Sequence, residues 1–175
     1  MKSIFIKIFF LSVIVLGAGT AALRWFSGGT ASTFACAENE GLFIAEVGDK
    51  EHLELGDPHP PYNSNPPTSG WHTEATSSWG VSEAPIPDEM QVHNLEHGGI
   101  LVQYKTEIDG ETKRKLGEIV KRYKSKVLMA PRPNLDRTIA LTAWTYLDKF
   151  DEFDECRIVG FIKAHINEGP EFTPD

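Results

Sequence analysis

The sequence predicts an α+β fold: a small mixed or antiparallel sheet with two flanking helices and a long proline-rich loop, preceded by an N-terminal membrane-anchor helix. Three apolar runs typical of buried strands, "ILVQY" at 100–104, "VLMA" at 127–130 and "TIALTAWTYL" at 138–147, predict the sheet. A helical repeat of apolar residues lies between the first two runs. Strands and helices that are mixed along one short chain indicate a layer of helices packed on a sheet.

The start of the chain predicts a membrane anchor over residues 1–26. Residues 8–23, "IFFLSVIVLGAGTAAL", carry no charge and lie between Lys7 and Arg24. This run falls between a signal-peptide core of about 7 to 15 residues and a spanning helix of about 20. Because Lys2 and Lys7 precede it, we expect a single-pass anchor in the cell membrane, with the domain in the periplasm or extracellular space. Secretion after cleavage is the alternative.

Charge and cysteine content constrain the compartment and the partners of the domain. After position 24 the chain has 14 basic and 25 acidic residues, a balance that disfavours nucleic acid as a partner. The two cysteines, Cys36 and Cys156, lie near the two ends of the predicted domain. Outside the cytoplasm they favour a disulfide, and two free buried thiols are the alternative.

The elements of the domain follow a linker at 27–40, and the domain itself is expected at 41–172. Residues 41–55 predict a short strand or two before a proline-rich loop at 56–70, which can form neither a helix nor a central strand. The repeat at 112–125 predicts an amphipathic helix of about three turns. A last helix is expected within 151–167, ended by a Gly-Pro pair.

A histidine pair in "VHNLEHGG", residues 92–99, indicates a metal site. His93 and His97 are four residues apart and so share one face of a helical turn that the two glycines end. His72 closes the proline-rich loop, and three imidazoles suit zinc or copper. We therefore predict His72, His93 and His97 as ligands, with Asn94 and Glu96 accepting the other ring protons. Three further side chains are candidate ligands, of which the methionine sulfurs would favour copper: Met90, Met129 and His59.

Other interpretations of these residues stay open. Both histidines of the pair are also compatible with structural hydrogen bonds. "HNLEH" satisfies the H-x-x-E-H pattern of a metal-dependent hydrolase with Glu96 as the base, although Gly98 and Gly99 end the helix at once. A carbohydrate- or peptide-binding module is a further alternative, with these aromatic residues as stacking surfaces: Tyr62, Trp71, Trp79 and Trp144.

Three stretches together carry a resemblance to a known family: "NPPTSGWH" at 65–72, "VHNLEHGGILVQY" at 92–104 and "ALTAWTYLDKFDEF" at 140–153. They resemble the bacterial DUF3105 family, a set of mostly exported domains without an established function. The resemblance covers roughly residues 41–171. It implies that four of the candidate site residues belong to the family's motif blocks: His72, His93, Glu96 and His97.

These observations predict an extracytoplasmic, membrane-anchored metal-binding protein. We expect copper first and zinc second, in metal capture, delivery or electron transfer. The expected partners are the metal ion and the membrane, with no protein partner specified by the sequence. An enzyme is not the favoured interpretation.

Overall fold

The computed structural model describes residues 36–48, 51–171 and 173. The predicted anchor at 1–26 and most of the linker lie outside these residues. Within the part that is described, no helix is long and apolar enough to cross a membrane.

The described chain forms eight strands and three helices. The strands are β1 (Leu42–Phe43), β2 (His52–Leu53), β3 (His72–Thr73), β4 (Gly80–Val81), β5 (Ile100–Lys105), β6 (Val127–Arg132), β7 (Ile139–Ala143) and β8 (Tyr146–Phe150). The helices are α1 (Asp88–Glu96), α2 (Gly110–Val120) and α3 (Glu155–His165). Six strands form one sheet in the order β1-β8-β7-β5-β6-β4, and β2 and β3 form a separate pair.

The large sheet is mixed, as predicted for an α+β fold. β5 pairs in parallel with β6, and α2 provides the crossover connection between them. β7 pairs antiparallel with β5 and with β8, and β1 extends this antiparallel side. The sheet therefore combines a βαβ unit with an antiparallel β7–β8 hairpin that β1 extends.

Helices α2 and α3 cover one face of the sheet. Residues of alternating position on β5, β6 and β7 point to that face and bury the larger apolar core. Each helix begins with an aspartate, Asp109 or Asp154, whose side chain accepts a hydrogen bond from a backbone N–H of the first turn. Leu116 of α2 and Phe161 of α3 are fully buried in this core.

Helix α1 packs on the opposite face, a third helix that the apolar pattern does not predict. Its Leu95 lies with Leu101 of β5 and Leu128 of β6 in a smaller buried cluster. Most of the helix is polar and is nevertheless buried from Gln91 to Glu96. A helix that buries polar side chains gives no amphipathic signal in the sequence.

The prediction of a single strand at 138–147 was wrong. Two strands, β7 and β8, occupy the region and are joined by a tight turn at Trp144 and Thr145. Thr145 has a positive φ of 62°. No glycine, asparagine or proline marks this turn in the sequence, so the usual signals of a hairpin are absent.

A disulfide joins Cys36 to Cys156, and this prediction is confirmed. The bond fixes the segment before β1 against the first turn of α3. Gly160 of α3 allows the close approach, because an added Cβ there would overlap the carbonyl oxygen of Ala37. The same segment is held further along α3, where His165 Nε2 contacts the carbonyl oxygen of Glu40 at 2.9 Å.

The proline-rich loop at 56–70 contains neither helix nor strand, as predicted. It is held in place by specific contacts. The hydroxyl of Tyr62 donates a hydrogen bond to the carbonyl oxygen of Trp71 at 2.7 Å. The ring of Tyr62 packs so closely on Gly70 that a Cβ there would lie 2.8 Å from it. The loop therefore holds His72, the second residue after its end, in a defined position.

Candidate metal centre

The pair of short strands brings two histidines together. β2 and β3 run parallel, and His52 is directly in register with His72. Paired residues point to the same side of a two-stranded ladder. Their ring centroids are accordingly 5.0 Å apart. His52 was not among the ligands predicted from the sequence; it is exposed, but its ring faces the other histidines.

Helix α1 places His93 at the centre of the group. The ring centroid of His93 lies 4.9 Å from that of His52, 5.3 Å from that of His72 and 4.3 Å from that of His97. The structure thus brings the three predicted histidines together and adds a fourth. We call these four residues the histidine cluster.

The end of α1 fixes His97 beside His93. His97 is the C-cap residue of α1, and Gly98 follows with a φ of 75°. The N–H of Gly98 donates to Leu95 and that of Gly99 to Asn94, the pair of hydrogen bonds of a Schellman motif. The glycine pair ends the helix, as the sequence predicted.

One buried contact in the cluster joins a histidine nitrogen to a carboxylate oxygen. His72 Nδ1 lies 2.8 Å from the carbonyl oxygen of Gly70, so Nδ1 carries the proton and donates it. His72 Nε2 lies 2.9 Å from Glu96 Oε2. This second contact lacks hydrogen-bond alignment, and Nε2 is buried without a hydrogen-bond partner among the described residues. When the single proton of a neutral imidazole is on Nδ1, Nε2 presents its lone pair to the carboxylate oxygen, an arrangement that a shared cation would stabilise.

His93 is held in its neutral form. The pKa of His93 is lowered to about 4, chiefly by burial and also by possible charges on His97, His72 and His52, with Glu171 acting in the opposite direction. Nδ1 of His93 is buried without a hydrogen-bond partner among the described residues. A neutral imidazole offers a lone pair, the form that binds a metal.

The C-terminal tail contributes a carboxylate that the sequence did not indicate. Glu171 Oε2 lies 3.0 Å from His97 Nε2, which donates the hydrogen bond. The backbone of the tail is fixed beside α1, because the N–H of Glu171 donates to the carbonyl oxygen of Glu96 at 3.1 Å. Glu171 lies 74 residues from His97 in sequence, beyond a Gly-Pro pair, so no local pattern connects them.

Two overlapping groups have the spacing of metal ligands. The ligand atoms of His52, His93 and Glu96 all lie within 4.8 Å of one another, and so do those of His93, His97 and Glu171. Nitrogen and oxygen ligands lie about 2.0 to 2.2 Å from zinc, and hence within about 4.4 Å of one another. Only a small contraction of either group is needed to hold an ion.

The two predicted methionine ligands lie elsewhere. Met129 of β6 points to the face covered by α2, with its sulfur 3.9 Å from the position of a Cβ on Gly117. Helix α1 lies on the other face, so the sheet separates Met129 from the histidine cluster. Met90 lines a pocket with Leu53 and Thr73. Those residues alternate with His52 and His72 and so point to the other side of the strand pair.

The remaining candidate residues have structural contacts. The ring of His59 stacks on Trp71 at 5.6 Å, and its Nδ1 lies 2.7 Å from the carbonyl oxygen of Pro60. Asn94 does not orient an imidazole as predicted. Its side chain forms two hydrogen bonds with the backbone of Ser77, at 2.8 and 2.9 Å, and fixes the segment before β4.

The aromatic residues of the binding-module alternative form two separate groups. Tyr62 and Trp71 pack against each other beside His59, while Trp79 and Trp144 pack on the α1 side of the sheet. All four are partly buried. They do not form one continuous stacking surface.

Comparison with known proteins identifies the family. A family profile described as "Protein of unknown function (DUF3105)" matches residues 58–174. The chain belongs to the DUF3105 family. None of the curated proteins or solved structures compared with the chain matches it. The DUF3105 match contains five of the six side chains gathered here: His72, His93, Glu96, His97 and Glu171. The sixth, His52, lies six residues before the start of the match.

Proposed function

We propose that this DUF3105 protein binds a divalent transition-metal cation and serves in the capture or delivery of that cation outside the cytoplasm. The proposed ligands are His52, His72, His93 and Glu96. The contact between His72 Nε2 and Glu96 Oε2 carries the proposal. Two acceptors held 2.9 Å apart in a buried position repel each other unless a proton or a cation lies between them.

The donor atoms favour copper(II) and zinc(II). Imidazole suits both ions, and the general order of affinities places copper(II) above zinc(II) at the same site. Copper is therefore the first expectation and zinc the second. Methionine sulfur does not favour copper here, because Met129 lies across the sheet and Met90 lies with Leu53 and Thr73, away from the histidine cluster.

Capture or delivery is favoured over electron transfer. Copper sites for electron transfer commonly use a cysteine thiolate, and both cysteines of this chain form the disulfide. A pocket of about 190 Å³ lined by His52, Glu96, Pro170 and Glu171 connects the candidate site with solvent. A location outside the cytoplasm is supported by the disulfide, which persists in oxidising compartments.

The test is metal binding by the full-length chain, purified in detergent and freed of metal under non-reducing conditions. Competition with chelators of known affinity measures binding of Cu²⁺ and Zn²⁺ separately. We expect one tightly held equivalent, lost in His93→Gln. His59→Gln is the matched control, because His59 stacks on Trp71 outside the cluster, and it should bind as the wild type does.

Circular dichroism establishes that each variant is folded. If folded wild-type protein binds neither ion more tightly than folded His93→Gln, the proposed function is wrong. If His59→Gln weakens binding as much as His93→Gln, the ions are held at another place.

A further inference from the structure

We infer that the cluster has two cation positions, an outer one formed by His93, His97 and Glu171 that is loaded first, and the inner one proposed above, to which the cation then moves. This inference rests on the proposed function, because His93 belongs to both groups. The ligand of the outer position is the same class of ion, a divalent transition-metal cation.

The outer group has the geometry and donor set of a metal site in its own right. Its three ligand atoms lie within 4.8 Å of one another, the same spacing as in the inner group. Two imidazoles and a carboxylate are a set of protein ligands that leaves room for water on a bound zinc. An arriving cation can therefore keep part of its hydration shell there.

The two groups differ in their access to solvent. The side chain of Glu171 is 55% exposed and that of His97 is 19% exposed. In the inner group His52 is exposed, but the side chains of His72 and Glu96 are only 1% and 9% exposed. A cation arriving from solvent therefore meets two accessible ligands, His97 and Glu171, at the outer position and a single one, His52, at the inner position.

The shared residue explains why the two positions are used in turn. A neutral imidazole has one ring nitrogen with a free lone pair, so His93 serves one cation at a time. The cation moves inward by exchange of ligands: it leaves His97 and Glu171 and gains His52 and Glu96. No bond other than metal–ligand bonds changes in this step, and no redox reaction occurs.

The outer carboxylate is held in place by the backbone around it. The N–H of Asn167 donates to the carbonyl oxygen of Gly98 at 2.8 Å. Gly98 allows this approach, since a Cβ there would lie 2.7 Å from the Cα of Asn167. The buried Lys126 completes the attachment, because its Nζ donates to the carbonyl oxygens of His97 at 3.0 Å and Thr173 at 2.9 Å.

These contacts fix the position of Glu171 in the folded protein. A carboxylate on an unattached tail would approach His97 only transiently. Here the tail is bonded to the two residues that flank His97 in sequence, Glu96 and Gly98. Substitution of the Glu171 side chain leaves these backbone hydrogen bonds intact, so the outer position can be removed without removing the tail.

The test measures the rates of zinc loading and zinc extraction in the full-length chain. Stopped-flow mixing with a chromogenic zinc chelator reports both rates, and the equilibrium constant comes from chelator competition. For Glu171→Gln we expect loading and extraction to slow together by about tenfold, the lower end of the effect of losing a group around a metal. The equilibrium affinity and the stoichiometry of one should stay unchanged.

Glu168→Gln is the matched control. It removes the same charge from an exposed position three residues earlier in the tail, and its rates should equal those of the wild type.

The outcomes separate this inference from the proposed function. If Glu171→Gln weakens the equilibrium affinity, Glu171 is a ligand of the final site and the loading position is refuted. Unchanged rates in Glu171→Gln, or equal slowing in Glu168→Gln, would also refute it. Failure of the wild type to bind zinc and copper at all overturns the proposed function instead.

Discussion

Replacement of Glu96 by glutamine should stabilise the metal-free protein and at the same time remove its response to metal. In the metal-free protein the lone pair of His72 Nε2 faces Glu96 Oε2 at 2.9 Å. The amide of a glutamine can turn an N–H toward that lone pair and form a hydrogen bond in place of the repulsive contact. A typical net hydrogen bond contributes about 1 kcal/mol, so we expect the free energy of unfolding to rise by about that amount.

The opposite effect is expected when metal is present. A ligand at 1,000 times its dissociation constant stabilises the native state by about 4 kcal/mol. The wild type should show an increase of that order, and Glu96→Gln should show little or none, because an amide oxygen is a much weaker ligand than a carboxylate. Urea denaturation followed by circular dichroism, with chelator or with excess Zn²⁺, measures both quantities.

A second contact between a histidine and a glutamate of α1 provides the control. Glu89 lies at the beginning of α1, and its Oε1 is 3.4 Å from Nε2 of His59 in the proline-rich loop. Glu89→Gln should leave the response to metal unchanged. If Glu96→Gln instead destabilises the metal-free protein by 1 kcal/mol or more, His72 and Glu96 form an ordinary ion pair, with the proton in the place assigned here to a cation.

Two further predictions concern stability. Asp148 accepts hydrogen bonds from Arg157 at 2.7 and 2.5 Å. Burial raises the pKa of Asp148, but the hydrogen bonds from Arg157 and Asn39 outweigh this effect and lower the pKa overall. Because Arg157 is 41% exposed, Asp148→Asn should cost about 2 kcal/mol at pH 7 in urea denaturation, as for the loss of hydrogen bonds to a charged group. Asp136→Asn in the exposed pair with Lys149 should cost less than about 1 kcal/mol. The contribution of Asp148 to the free energy of unfolding should be present above the ordinary aspartate pKa and disappear as the pH falls through its lowered pKa. If the stability of Asp148→Asn falls as steeply with decreasing pH as that of the wild type, this prediction is wrong. His93, with its pKa lowered to about 4, binds a proton only in the unfolded chain between about pH 6.5 and pH 4. As the pH falls across that interval, the free energy of unfolding of the metal-free wild type should decrease by up to about 3 kcal/mol, and that of His93→Gln by less. Parallel curves of unfolding free energy against pH for the two proteins would show that His93 is not held neutral.

Continuous apolar runs and helical spacing made much of the fold predictable. The strands at 100–105 and 127–132 are buried almost throughout, and helix α2 buries apolar side chains at helical spacing. The disulfide followed from two cysteines in a domain that the sequence predicts to be exported. Helix α1 was not recognised as a helix packed on the sheet, because its buried face is largely polar and satisfies itself through hydrogen bonds such as those of Asn94 to Ser77.

The candidate site was predictable only where its residues are close in sequence. The spacing of His93 and His97 placed them on one helical turn, and the rigid loop before His72 indicated a third histidine. His52 joins them through a parallel pairing of two residues, and Glu171 joins them through backbone hydrogen bonds of the tail. Long-range pairings of this kind depend on tertiary structure, and nothing in the local sequence specifies them.

The gathered side chains come from four separated parts of the chain: β2, β3, the end of α1, and the tail. An ion bound at the inner position would act as a cross-link between β2, β3 and α1. Local fraying of β2 would then require a metal–ligand bond to break, whereas the tail would still be held by its own hydrogen bonds. Loading would thus protect β2 from proteases and from amide hydrogen exchange, while the disulfide already joins the segment before β1 to α3.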